Sequence, residues 1–268
     1  MAKHNIKELS IQVNLNGLSF CILNRSSNRI EYLNFLEFEN KLGPFDLLNR
    51  LKTELSSNSV FSDEFEDVLV IHQNELATLV PQELYDAKYK ADYLKFNSKI
   101  LKTDFITHDK IAVNESVVVY VPYVNINNYI FDTFGEFVFK HSLTVFVDTV
   151  LQKHKNNQGP IVCINVNHNS IELIVLDGND IQLINSFECH SLEDFIYYVL
   201  FVFEQLELDV ETTPVKVSGQ IDKADKYFEV LYRYIRDVDF LDLGLNFQFA
   251  DSIDDSQLSR YFLILNSF

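Results

Sequence analysis

Residues able to do chemistry are few in this sequence, and most of them stand in turns. Asp104, His108 and Asp109 bring two carboxylates close to an imidazole. No Ser or Cys in a nucleophile-elbow context accompanies them, so chance proximity is the preferred reading. Cys21, Cys163 and Cys189 are odd in number and lack CxxC spacing. They read as small buried hydrophobes in a reducing compartment, not as a disulfide or zinc framework. The seven histidines show no HxxxH or HExxH spacing. There remain two Asn-rich turns, Asn14-Leu15-Asn16-Gly17-Leu18-Ser19 and Asn165-Val166-Asn167-His168-Asn169-Ser170, and the pair Ser218-Gly219. An amide oxygen accepts a hydrogen bond or touches a metal, but it carries no charge and cannot act as a base. Asparagine also tolerates left-handed backbone in an ordinary loop. His168 is either a phosphate contact or an exposed turn histidine, and Ser218-Gly219 by itself is a turn.

The elements that hold these turns come as a repeat. Residues 11–38 laid over 162–189 at a constant offset of 151 match at Asn14/Asn165, Asn16/Asn167, Ser19/Ser170, Asn28/Asn179, Ile30/Ile181, Asn34/Asn185 and Glu37/Glu188. Each copy reads as three strands. Leu9 to Leu15, Ser19 to Leu23 and Ile30 to Phe38 form the first set; Ile161 to Val166, Ile171 to Leu176 and Ile181 to Phe187 form the second. A helix follows each meander. Pro44 opens one, and Ser191 with Asp194 three residues on forms a capping box before the other. A further strand comes next, Asp67 to Ile71 or Pro214 to Val217, the latter leading through Ser218-Gly219 to a helix over Lys223 to Tyr234. The expected fold is α/β and duplicated. Two lobes, 1–158 and 159–268, meet near Asn156 to Pro160, and each carries a mixed β-β-β-α-β-α sheet unit.

This order resembles the actin, hexokinase and chaperone-ATPase superfamily, whose fold is ribonuclease H-like. The whole chain is similar to a family of Bacteroidetes proteins of unknown function with an actin-like fold. Val117 to Phe134 resembles the chaperone strand ending in Val-Pro and its following helix. Phe137 to Ser142 matches the next strand, and Leu143 to His154 the helix crossing to the second lobe. The resemblance implies that the first turn of each lobe carries an acid and glycines. Glycine lets backbone N–H groups reach phosphate oxygens, and the acids hold hydrated magnesium. Here Asn14 and Asn165 stand at the acidic positions, while Asn16 replaces a glycine, and Gly17 and Ser19 still permit close approach. Asn167, His168, Asn169 and Ser170 leave the second turn without glycine, and Ser218-Gly219 lies where the adenosine loop is expected. Loss of one preorganised charged group costs about 3–4 kcal/mol of transition-state stabilisation. The resemblance therefore implies no more than vestigial ATP or magnesium binding.

Other expectations follow from composition and length. A formal charge of −17, from 22 basic and 39 acidic residues, opposes a nucleic-acid partner. The lysines from Lys88 to Lys102 read as one solvated face. The opening MAKHNIKELS lacks an export signal, and the apolar Phe195 to Phe203 is too short to cross a bilayer, so a cytoplasmic protein is expected. That helix is apolar all round, which suits burial first and a partner surface second. An insertion at about 73–114 includes an expected helix over Gln82 to Asn97. Three functions are compared: a non-catalytic actin-like scaffold that binds an unknown protein, an ATP-binding switch using Asp177 or Glu172, and a sugar-kinase relative. The last lacks a base aspartate in suitable context.

Overall fold

The computed structural model describes residues 6–96 and 98–268. The first five residues of the opening segment, and the expected helix end at Asn97, lie outside them. Strands β1 (Lys7–Asn14), β2 (Gly17–Asn24) and β3 (Arg29–Glu37) form the first antiparallel meander. Helix α1 (Pro44–Ser57) starts with proline in its first turn, where no backbone N–H is missed. Its chain returns as β4 (Asp67–His72), parallel to β1. Then β5 (Ala77–Pro81), β6 (Thr107–Ile111) and β7 (Ser116–Tyr120) make a separate three-stranded sheet in the order β5-β7-β6. The first lobe closes with α3 (Val124–Phe134), β8 (Val138–His141) and α4 (Ser142–His154).

The second lobe repeats the plan. Its meander is β9 (Pro160–Val166), β10 (Ser170–Asp177) and β11 (Asp180–Glu188). Helix α5 (Leu192–Gln205) follows, and its capping box is realised: the Asp194 N–H donates to Ser191 Oγ and the Ser191 N–H to Asp194 Oδ2. Strand β12 (Val215–Gly219) is parallel to β9. Helix α6 (Lys226–Tyr234), capped by Asp225, leads to β13 (Val238–Phe240), parallel to β12. The end of the chain turns back. Strand β14 (Gln248–Phe249) joins β3, and α7 (Phe262–Leu265) packs beside β1 and β2. The main sheets run β14-β3-β2-β1-β4-β8 and β11-β10-β9-β12-β13. The expected mixed sheets and duplicated actin-like order are both present.

Period-two alternation divides the core. In the first sheet Leu9, Ile11, Val13, Leu18, Phe20 and Ile22 face α1 and α3. In the second, Val162, Ile164, Val166, Ile171, Leu173 and Val175 pack with residues of α5 and α6. The opposite faces, with Cys21, Leu23, Cys163 and Ile174, enclose α4 and α7 in one shared core.

Several local expectations are corrected. The helix expected over 82–97 breaks into short 3-10 turns at Gln82–Leu84 and Ala87–Tyr89, before α2 (Lys90–Lys95). The extended backbone at Tyr85 and Asp86, with Asp86 capping the Lys88 N–H, interrupts it. The Val-Pro strand, β7, pairs with β5 and β6 of the small sheet. Helix α5 buries Phe195, Val199, Val202 and Phe203, yet Tyr197 and Phe201 stack on its exposed side.

The register of the repeat differs most usefully from the gapless match. Asn14 pairs with Gly17 around Leu15-Asn16. In the second lobe the Asn167 N–H donates to the Ser170 carbonyl around His168-Asn169, and Asn165 pairs with Glu172. The hairpin equivalents are therefore Gln12/Asn165, Asn14/Asn167, Gly17/Ser170 and Ser19/Glu172, an offset of 153. The third strands keep the offset of 151, since Glu37 pairs with Gly17 and Glu188 with Ser170. The second turn absorbs the difference: Arg25–Asn28 lies between paired Asn24 and Arg29, but only Gly178-Asn179 lies between Asp177 and Asp180. Both lobes carry a bulge at the same place, Ile22/Leu23 and Val175/Leu176. A two-residue slip leaves every side chain on its own face, so hydrophobic pattern cannot distinguish the registers.

Candidate functional site: an amide-lined cleft between the lobes

The two hairpin turns meet between the lobes, where β1, β4, β9 and β12 end. Three symmetric pairs of amides line the gap: Gln12/Asn165, Asn14/Asn167 and Gln73/Gln220. The last pair is set by matching crossovers, because Gln73 N–H donates to Val13 O and Gln220 N–H to Val166 O. Gln73 is the centre of the network. Its Oε1 accepts from Gln12 Nε2 at 2.8 Å, and its Nε2 donates across the lobes to Asn167 Oδ1 at 2.6 Å. Asn14 Nδ2 donates to the Gln73 carbonyl, and Asn14 Oδ1 accepts the Asn16 N–H, which holds the first turn. Asn165 Nδ2 donates to Glu172 Oε2 at 2.8 Å, while Asn165 Oδ1 accepts from Ser218 Oγ. His168 Nδ1 lies 3.1 Å from Glu37 Oε1, a second bridge between lobes.

The anticipated residues thus gather, with differences. Asn14, Asn16, Gly17, Ser19, Asn165, Asn167, His168 and Gly219 line the narrow gap. Ser218 is buried beneath Asn165, and Ser170 opens onto a broader cavity beside Glu172. Asp177 stands at the far end of β10. Asp104, His108 and Asp109 do not act together: Asp104 accepts the Leu101 N–H, His108 packs on Tyr85, and Asp109 accepts from Tyr120, Thr144 and the His141 N–H. Burial raises the Asp109 pKa despite those bonds. Gln12, Gln73, Gln220 and Arg260 are functional candidates that sequence reading missed. A glutamine directly beyond each fourth strand was the available signal. Arg260 lines the gap 4.0 Å from Asp222 and places a cation near the turns.

The gap encloses about 30 Å3, room for one or two waters. Its glycines are occupied by the protein itself. A Cβ on Gly17 would lie 2.8 Å from the Leu36 carbonyl oxygen and the Phe35 ring. One on Gly219 would lie 2.2 Å from the Val166 carbonyl oxygen. Among the described residues no cluster of His, Cys, Asp or Glu could hold a metal ion. The narrow gap is too small for a magnesium–triphosphate group, its glycines serve packing, and its expected acids are amides; the broader cavity beside it shares Asn14, Asn16 and Asn167.

Two buried histidines lie close by. His72 has its ring bonded to Asn127 and the Tyr123 N–H, and burial pushes its pKa down to about 4. His141 caps α4 by accepting the Leu143 N–H, and burial lowers its pKa to about 3. Glu172 is buried as well; desolvation raises its pKa although Asn165 and Ser142 donate to it.

A family model described as a protein of unknown function (DUF3822) matches residues 1–238. The chain belongs to the DUF3822 family. Among solved structures, it is similar to a Bacteroides thetaiotaomicron protein with an actin-like ATPase fold and unknown function. The identity is 20%, the TM-score 0.80, and coverage is 98% of this chain and 97% of the other. It also resembles the PilM-PilN type IV pilus biogenesis complex, at 11% identity and TM-score 0.61, over 98% and 97% of the two chains. The ethanolamine utilization protein EutJ from Carboxydothermus hydrogenoformans matches at 8% identity and TM-score 0.50, over 97% and 89%. No curated protein matches. These likenesses establish the actin-like ATPase fold for the DUF3822 chain. Among its described residues no helix is long and apolar enough to cross a membrane.

Proposed function

We propose that this DUF3822 protein is a non-catalytic actin-like protein that binds another protein in the cytoplasm, its nucleotide cleft being degenerate. The observation that carries the reading is the Gln73–Asn167 bridge across an amide-lined gap of about 30 Å3. Amides fasten the lobes to each other where, by resemblance, acids would hold a metal. They supply neither a base nor the charge needed for phosphoryl transfer. The pilus complex supports a binding role, because the same fold there stands with a protein partner.

Arg260 favours a second reading, an ATP-binding switch or weak ATPase, because it places one cation at the gap. Calorimetric titration with Mg-ATP, alongside phosphate release, separates the two. The expected result is no heat of binding and release at background. Micromolar binding with turnover that falls in Asn165→Ala would replace the first reading with the second.

A further inference from the structure

Beside the narrow gap lies a cavity of about 740 Å3, within the size range of ligand-binding sites. Its walls have an unusual composition. The consecutive residues Glu75, Leu76, Ala77, Thr78 and Leu79 line one side, and Ile184, Asn185 and Ser186 line another. A strand that turned a face to the cavity would contribute alternate residues only; consecutive ones mean that its edge looks in. Topology agrees. β5 ends the small sheet and β11 ends the second main sheet, so each has one edge without a neighbouring strand. Such edges present N–H and C=O groups as a template for another strand; on β11 the Ser186 N–H is held by Asn185 Oδ1, a bond that a docking strand would displace.

The third feature is His141, which is 1% exposed and lines the same cavity. Its Nδ1 accepts the Leu143 N–H, which places the ring proton on Nε2. That Nε2 is buried beside the Asn74 backbone. Charges do not dominate the walls. Lys41 faces Glu75 at 3.9 Å, His190 faces Glu188 at 3.7 Å, and Glu172 is hydrogen-bonded into the wall. Lys99 is the remaining charged wall residue.

We propose that an extended, uncharged peptide segment of a partner protein docks in this cavity as an added strand. It pairs with the outer edge of β11. From Ile184 to Glu188 the edge accommodates about five residues at ~3.3 Å each. This deepens the protein-binding reading and rests on it.

The test is to pan a phage-displayed library of random octapeptides against the intact protein, then measure binding and hydrogen exchange with the enriched peptide. The expected result is enrichment of uncharged sequences, and amide exchange slowed at least tenfold in 183–188. Ser186→Trp alters an exposed position and should weaken binding more than tenfold without changing the circular dichroism. Failure to enrich any peptide overturns the proposal, as does binding that Ser186→Trp leaves intact. Slowed exchange only on α5, around Tyr197 and Phe201, overturns the cavity but leaves the protein-binding reading standing. The Mg-ATP titration decides that reading separately.

Discussion

Gly219→Ala isolates what the glycine at the end of β12 is for. The residue has φ +85°, and an added Cβ would stand 2.2 Å from the Val166 carbonyl oxygen and 2.8 Å from Asn165 Oδ1. Neither neighbour can yield cheaply. The Val166 carbonyl accepts the Gln220 N–H, and Asn165 Oδ1 accepts from Ser218. Backbone strain at such a φ costs about 1–3 kcal/mol, and forcing packed atoms apart costs about 1–3 kcal/mol more. The sum, about 2–6 kcal/mol, corresponds to a fall in Tm of about 4–12 °C at ~2 °C per kcal/mol for a chain of this size. Gly178→Ala is the control. It has φ +60° and nothing within 4 Å of its added Cβ, so only about 1–2 kcal/mol and 2–4 °C are expected. Differential scanning calorimetry of both variants gives the comparison. Equal shifts would refute the argument that β12 and β9 need this glycine for close approach. A nearly unchanged Tm with altered nucleotide binding would return Gly219 to a ligand role.

Three further outcomes are expected. His72 has its folded pKa depressed to about 4 from 6.5, so its contribution is intact above pH 6.5 and lost as pH falls towards 4. Between pH 7 and 5 this removes about 2 kcal/mol, read as a urea-midpoint difference between the parent and His72→Gln that narrows on acidification. Glu172 and Asp109, with raised pKa values, contribute in the opposite sense and are common to both proteins. Deleting residues 262–268 removes the buried Phe262, Leu263, Ile264 and Leu265, about 6–12 kcal/mol of burial against a typical total of about 5–15. The truncated chain should show no cooperative thermal transition by circular dichroism. Cys21, Cys163 and Cys189 are all buried, and burial pushes the Cys163 thiol up to about 12 and Cys189 to about 11. A thiol-specific disulfide reagent should label none of them until urea unfolds the protein.

By itself the sequence determined the duplicated lobes, the meanders, the capped helices and the presence of amides at the turns. Those features are written locally. Alternation with period two marks the strands, Pro44 and the Ser191–Asp194 box mark helix starts, and Asn residues mark turns. The interlobe site was legible only in part. Asn14 and Asn165 looked equivalent because the identities in the third strands fixed one offset for the whole repeat. Pairing in the structure makes Asn14 equivalent to Asn167, since compensating turn lengths displace the hairpin by two residues and preserve the same faces. Tertiary structure alone decided that Gln73 crosses to Asn167 and that Arg260 enters the gap from the far end of the chain. It also brought the edges of β5 and β11 to one cavity. Such contacts join residues distant in sequence, and local propensity says nothing about which side chains two packed sheets will bring together.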